Sequence, residues 1–334
     1  MIFGYVFDEG FTVPAAVSIY SLLYNNKHIN DIEIVILDDG ILQESKNKLK
    51  QIANKFNRKM SFVDVDNVKK TLSKTTKYNW NGSYSTYIRL MLNSLLPGCE
   101  DIIIMIDGDT IVNGKVDELI NIDLQGKLCA MALEAMPYKY HIHSDLGMNK
   151  LINGGLLVID LKKWKEEEAE NKILHFLSQV REKNMLTDED VLSAVFKDKI
   201  TTIPPRFNYL VQYYLYSSKF YYKFFGWDRL NDNGVFYSLD ELQKARDNAI
   251  IYHCIDTFTN RPWQKNNIHP YSKMFDKYLA HTPWKDYKKQ TRKMSLKQSV
   301  EMLLRRFLPS KLSRFLYACA VNYTYGISAK KYYE

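Results

Sequence analysis

The chain has 334 residues, 46% apolar and 25% charged, which is long enough for a full hydrophobic core and too apolar for general disorder. Its charge is lopsided: residues 281–334 carry 12 Lys and Arg against 3 Asp and Glu, a net of +9, while the whole chain is +8, so residues 1–280 sit near −1. A near-neutral body argues against a nucleic-acid binder, which needs a basic stripe over the folded domain, and assigns any anionic partner to the tail.

In chain order, residues 2–7 read as a buried strand followed by turn material at Asp8-Glu9-Gly10. Residues 13–24 have helical apolar spacing, with Pro14 tolerable in the first turn. A strand at 32–37, an amphipathic helix at 42–56 and a strand at 60–65 follow. Residues 83–95 read as one helix stopped by Pro97-Gly98, and 101–106 as an apolar strand running into Asp107-Gly108-Asp109. Further strands are expected at 128–133, 156–159, 200–203 and 249–253, a long polar helix at 162–183 and a shorter one at 188–196. This alternation predicts an α/β fold with a mostly parallel, Rossmann-like sheet flanked by helices. The composition turns basic near residue 280, which sets the expected boundary between a body at 1–280 and a basic helical region at 281–334.

No run of about 18 apolar residues suggests a bilayer span, and the opening apolar run is interrupted at Asp8 and Glu9 with no cation before Lys27, unlike a secretory signal. Cys99, Cys129, Cys254 and Cys319 lack C-x-x-C spacing, which argues against a disulfide framework or zinc knuckle and suits a reducing cytoplasm.

The chemistry centres on Asp107-Gly108-Asp109. An apolar strand delivers two carboxylates to its C-terminal end, where open α/β sheets bind ligands, and such a pair suits a hard divalent ion bridging a diphosphate. Gly108 would let the backbone come close. His253 ends a late strand and could complete a Mn²⁺ site, with Arg261 in Arg261-Pro262-Trp263 able to neutralise phosphate. Asn153-Gly154-Gly155 reads as a turn before a strand, open to close approach. Asp188-Glu189-Asp190 opens a helix, where capping is the ordinary role of an acid, so one of them must point away from the terminus to meet a ligand.

Together these motifs, in order from Met1 to about Trp263, resemble glycosyltransferase family 8, which includes bacterial lipopolysaccharide galactosyl- and glucosyltransferases and glycogenin. The resemblance implies a GT-A fold, UDP-galactose or UDP-glucose as donor, Mn²⁺ (Mg²⁺ as the alternative ion), a glycan acceptor and retention of anomeric configuration. It implies that Val6 and Asp8, in Val-Phe-Asp, bind the uridine, with Phe11 where a tyrosine usually stacks. Arg89, in Ser-Thr-Tyr-Ile-Arg-Leu, would contact donor sugar and phosphate, and Asp107, Asp109 and His253 would be metal ligands. Asn153, Gly154 and Asp188 would hold the donor sugar, Arg261 the diphosphate, and Glu134 would lie near the acceptor. Three positions depart from the family pattern: Glu189 replaces a usual glutamine, Gly10 a frequent polar residue, and Arg261 follows His253 by eight residues with no glycine between.

Glu189 makes a covalent glycosyl-enzyme conceivable, but same-face substitution is the preferred reading, with Glu189, Asp188 and Arg89 at the reacting centre. Between Phe207 and Trp227, 11 of 21 residues are aromatic, offering either acceptor platforms or core. In the tail, apolar and cationic residues alternate at helical spacing over 300–308 and 312–316, as in helices lying on anionic membranes, so contact with the inner face of the cell membrane is expected. The rival readings are a nucleotidyltransferase, which normally shows a Gly-rich loop absent from residues 7–14, and a nucleotide-sugar-binding relative without transferase activity.

Overall fold

The computed structural model describes residues 1–76, 83–135, 150–180, 186–232, 234–255 and 260–291, and in the tail residues 303, 307–309, 311–320 and 323. Its strands are β1 (Ile2–Phe7), β2 (Glu33–Asp38), β3 (Lys59–Asp64), β4 (Ile102–Ile106), β5 (Thr110–Val112), β6 (Cys129–Leu133), β7 (Ile152–Asp160), β8 (Ile200–Thr202), β9 (Tyr209–Leu210) and β10 (Ile251–His253). Seven of them form one sheet in the order β3-β2-β1-β4-β7-β6-β8, and β5-β10-β9 form a second. Only β7 runs against its neighbours in the large sheet, so the mostly parallel expectation holds.

The central strands read as continuous apolar runs because helices cover them. Phe3, Tyr5, Ile103, Ile104, Leu157 and Val158 are fully buried, each aliphatic worth about 1.5–3 kcal/mol on burial. The helix Thr12–Asn25 packs against β1, β5 and the helices Gln43–Lys55 and Ser272–Leu279. The helix Asp188–Phe196 packs against β7 and the helix Ala169–Gln179.

Two expected helices are broken. Residues 83–95 form two short helices, Ser85–Ile88 and Leu92–Leu95, with a turn at Arg89 between them. The second helix starts where Glu170 Oε1 accepts the N–H groups of Asn93 (2.6 Å) and Ser94 (3.1 Å), a cap borrowed from a distant element. Residues 162–183 split into Leu161–Glu166 and Ala169–Gln179, with Glu168 left-handed at φ 49°. The buried stripe Leu161, Trp164 jumps five positions to Ala169, Ile173, Leu177, so one straight helix could not bury both. Residues 181–183 of that expected helix lie outside the described residues. The helix Asp66–Thr75 and strand β5 were not expected.

Much of the aromatic run is core, with Phe207, Tyr209, Tyr213, Tyr216 and Trp227 buried, whereas Phe220 is exposed. It also receives the tail, whose residues 311–320 are helical. Tyr317 stacks on Tyr216 at 5.7 Å, and Phe315 meets Phe220 and Phe224. Most of the expected tail helix at 300–308 lies outside the described residues. No helix among the described residues is long and apolar enough to cross a membrane.

Candidate active site

β4 ends at Ile106, and Asp107-Gly108-Asp109 turns the chain into β5. Thr110 fastens this turn by donating from its N–H (3.3 Å) and hydroxyl (2.9 Å) to the Asp107 carbonyl. Gly108 is closely packed: a Cβ there would lie 3.1 Å from both Ala15 Cβ and Phe11 Cδ1, which would have to give by a few tenths of an ångström. Strand β10 pairs antiparallel with β5, setting His253 opposite Thr110, and the Cys254 N–H donates to the Asp109 carbonyl at 2.8 Å. This ladder carries His253 across the sequence to Asp109. Its Nε2 lies 3.1 Å from Asp109 Oδ1 and 3.7 Å from Asp107 Oδ2.

One ligand atom from each of Asp107, Asp109 and His253 lies within 4.8 Å of the others. Two carboxylates and an imidazole, two of them buried, form a donor set that fits a divalent cation able to accept nitrogen as well as oxygen. The surroundings already answer to this negative charge. Burial opposes ionisation of Asp109, but His253 and Arg261 outweigh it and hold the carboxyl well below its usual range. Burial likewise pushes His253 down, yet Asp109 and Asp107 prevail and raise it. Arg261 Nη1 donates to Asp109 Oδ2.

The large sheet is irregular here. Between β6 and β7 the register steps from Met131↔Leu157 to Ala132↔Asn153, so Gly154, Gly155 and Leu156 form a bulge within β7. The expected turn at Asn153-Gly154-Gly155 is therefore inside a long strand, and both glycines are sites of crowding. A Cβ on Gly154 would lie 3.0 Å from Asp188 Oδ2 and from Glu189 Oε2, and one on Gly155 only 2.2 Å from His253 Nδ1. The bare backbone lets Asp188 and Glu189 come up to Gly154, and His253 and Asn208 to Gly155.

The acids of the next helix divide their work. Asp190 forms the capping box, accepting from the Thr187 N–H and hydroxyl at 2.8 Å each. Relieved of capping, Glu189 accepts the Gly154 N–H at 2.7 Å, and Asp188 turns toward Arg89. Arg89 donates to the Gly154 carbonyl (2.7 Å) and to Asp107 Oδ1 (2.5 Å), with its Nε 3.4 Å from Asp188 Oδ2. Burial penalises its charge, but Asp107 and Asp188 outweigh that and raise its pKa. Burial pushes Asp188 up to about 7, Arg89 opposing and Glu189 and Asp107 reinforcing the shift. Asp188 Oδ2 is buried with no hydrogen-bond partner.

A cleft of about 310 Å³ adjoins this cluster, lined by Val6, Asp8, Phe11, Ser85, Arg89, Asp107, Gly108, Asp109 and Arg261. Phe11 meets Trp263 edge-on at 5.5 Å, and the Arg261 guanidinium lies 5.8 Å from the Phe11 ring. Asp8 is exposed and accepts the Phe11 N–H at 3.1 Å, capping the short helix Glu9–Phe11. Glu134 is buried, accepting from Asn153 Nδ2 at 3.2 Å and the Ala135 N–H at 2.7 Å. A larger cavity, about 570 Å³, lies over the ends of β6 and β8, but its charged residues are engaged elsewhere: Arg206 with Glu118, Lys244 with Asp240, Glu241 with Ser238. The cleft at Asp107 is smaller, but it is the one that adjoins Asp107, Asp109 and His253.

Of the site residues expected from sequence, Val6, Asp8, Phe11, Arg89, Asp107, Gly108, Asp109 and Arg261 line the cleft, whereas His253, Asp188, Glu189 and Gly154 join the cluster through Asp109 and Arg89, and Asn153 and Glu134 lie deeper. The sequence reading missed Asn208, fully buried between Asn153 and His253. Its signal was one of two amides, with Gln212, inside an aromatic run that was read as a stripe.

Comparison with known proteins agrees with this geometry. The Glycosyl transferase family 8 profile matches residues 3–267. The chain is 25% identical over 290 residues to a lipopolysaccharide 1,2-glucosyltransferase of Escherichia coli K12, covering 85% of this chain and 78% of that protein. Among solved structures, the galactosyltransferase LgtC, crystallised with donor and acceptor sugar analogues, superposes with a TM-score of 0.67 at 18% identity, over 85% of this chain and 96% of LgtC. The bifunctional glycosyltransferase WbbM superposes at 0.68 and 21% identity, over 87% of this chain and 51% of WbbM. The fold is thus that of the GT-A glycosyltransferases, and the chain belongs to glycosyl transferase family 8.

Proposed function

We propose that this chain is a retaining hexosyltransferase that moves galactose or glucose from a UDP-sugar to a glycan acceptor, with Mn²⁺ at Asp107, Asp109 and His253. The observation that carries this reading is the meeting of that ligand set with Arg89, Asp188 and Glu189 beside one cleft. The names of the E. coli relative and of LgtC support glucose and galactose respectively, and an acceptor in a cell-surface glycan.

The ion, when bound, neutralises charge developing on the departing diphosphate. Arg261 adds a second positive charge on the same side, while Val6, Asp8 and Phe11 line the cleft for the nucleoside. Asp188 Oδ2, buried 3.4 Å from Arg89 Nε without a hydrogen bond, would accept a donor-sugar hydroxyl, and Asn153 and Gly154 frame that pocket. Arg89 bridges Asp107 and Asp188 and so ties the ion site to the sugar site. Glu189, fixed by the Gly154 N–H, presents a carboxylate where positive charge grows on the sugar ring, which suits stabilisation of same-face substitution. Glu134, one hydrogen bond beyond Asn153, faces the acceptor side.

UDP release from a panel of UDP-sugars with Mn²⁺, Mg²⁺ or EDTA tests this reading. Turnover of one hexose donor with metal, lost by roughly 10³-fold in Asp109→Ala, is expected. UDP binding in Mn²⁺ without turnover of any donor would replace it with the nucleotide-sugar-binding relative, and no UDP binding at all would discard the UDP-sugar donor.

We further assign residues 1–280 to the catalytic body and 281–334 to a basic appendage at the cytoplasmic face of the membrane. Phe307, Leu312, Leu316 and Tyr323 are exposed on a segment netting +9, as an anionic bilayer would favour. The full chain should float with vesicles containing phosphatidylglycerol, and Phe307→Ser with Leu316→Ser should reduce this several-fold. Equal flotation would discard the membrane contact.

A further inference from the structure

The geometry points to Asn208 as the positioning residue of the metal centre: through its side-chain amide it fixes which nitrogen of His253 is free to bind the ion. This rests on the metal reading above and concerns a residue outside the ligand set.

The orientation follows from a chain of hydrogen bonds whose first member is unambiguous. The Gly155 backbone N–H can only donate, and at 3.0 Å it faces Asn153 Oδ1, which must therefore be oxygen. The other arm of Asn153, its Nδ2, then points to the Glu134 carboxylate, as it should. Asn208 approaches the same Asn153 oxygen at 2.8 Å, so the atom it presents there is its NH₂ group. Its oxygen is left facing His253 Nδ1 at 3.0 Å, and that nitrogen must carry hydrogen. Nε2 lies 3.1 Å from Asp109 Oδ1 and 3.7 Å from Asp107 Oδ2, so without an ion it donates to the Asp109 carboxylate, and an ion bound at the two aspartates would take the place of that hydrogen while Nδ1 keeps its own. One backbone N–H thus sets two amides and a tautomer in turn.

Packing reinforces this arrangement. Asn208 and His253 are buried, and both abut Gly155, where a Cβ would lie 2.9 Å from Asn208 Oδ1 and 2.2 Å from His253 Nδ1. The ring can neither flip nor slide without vacating that contact. Because the same chain ends on Glu134, it also connects the acceptor-side acid to the metal ligand through buried hydrogen bonds.

The test has two readouts. With Zn²⁺, a diamagnetic divalent ion, bound to the full chain, ¹⁵N-edited NMR of the imidazoles should show hydrogen on His253 Nδ1 and none on Nε2. An Nδ1 without hydrogen would overturn the inference directly and needs no variant. Mn²⁺ affinity, followed by the EPR signal of the free ion, should fall about 10- to 100-fold in Asn208→Leu, which keeps the shape but cannot accept. Asn208→Asp retains the acceptor and should keep affinity near wild type, although it loses the donor to Asn153. Equal affinity in the leucine variant, or equal loss in both, would also overturn it. Wild-type protein that binds neither Mn²⁺ nor Zn²⁺ would instead refute the metal reading.

Discussion

The two halves of the large sheet are built differently. From β1 to β3 the ladder runs unbroken, from Ile2↔Glu33↔Lys59 to Phe7↔Asp38↔Asp64, and its charged residues stand at strand ends. Between β6 and β7 it jumps across Gly154, Gly155 and Leu156, and buried beside the jump are Glu134, Asn153, Asp188, Glu189, Asn208 and His253. A regular ladder satisfies its own backbone and leaves side chains only packing to do. A bulge frees backbone groups such as the Gly154 N–H and carbonyl to hold Glu189 and Arg89. The first half supplies a rigid frame; the second concentrates polar groups that would be costly unless bonded to one another.

The sharpest way to break this comparison is to add one methyl group to each half. In Gly155→Ala the new Cβ would collide with the His253 ring and with Asn208 Oδ1, neither of which has room to move. Destabilisation of about 1–3 kcal/mol, together with loss of most Mn²⁺ affinity, is expected. Gly4→Ala puts its Cβ just as close to Met105 Sδ, a flexible but buried thioether, with Ile103 Cδ1 3.2 Å away. That variant should also cost about 1–3 kcal/mol but leave Mn²⁺ affinity unchanged. Denaturant melts and Mn²⁺ titration of the two proteins decide it. If Gly4→Ala disturbed metal binding as much, the halves would not be separable.

The same division explains what the sequence could say. The regular half was legible because period and composition report burial: β1, β2 and β3 fall within a residue or two of their expected positions. So was the Asp-Gly-Asp turn, since an apolar strand entering two acids states its own geometry. The irregular half was not. Asn153-Gly154-Gly155 carries glycines that usually mean a turn, and nothing local reveals that His253, Asp188 and Glu189 crowd against them. Asn208 was hidden because its partners are distant in sequence, and an amide in an aromatic run has no period to mark it. The division of labour among Asp188, Glu189 and Asp190 was posed by the sequence as a question, and the capping box at Thr187 answers it.

A smaller effect sharpens the comparison through pH. Asp188, in the irregular half, is pushed up to about 7 by burial, so the folded protein holds a proton that the unfolded chain releases near 3.8. A raised acid contributes stability that is full below the unfolded value and is lost as pH rises through the folded one, so stability should fall between about pH 4 and 7. The neighbours do not mask this window. Asp109 is depressed, so its contribution is already complete above about pH 4, and raised His253 begins to lose its own only above about 6.5. Between pH 4.5 and 6.5, urea melts in EDTA should therefore show a decline that Asp188→Asn removes, at most about 1.4 kcal/mol per pH unit. Equal slopes in the two proteins would mean that Arg89, at 3.4 Å, keeps Asp188 ionised throughout. The bulge would then bury a full ion pair instead of a carboxylic acid, and Asp188 would meet a sugar hydroxyl as acceptor alone.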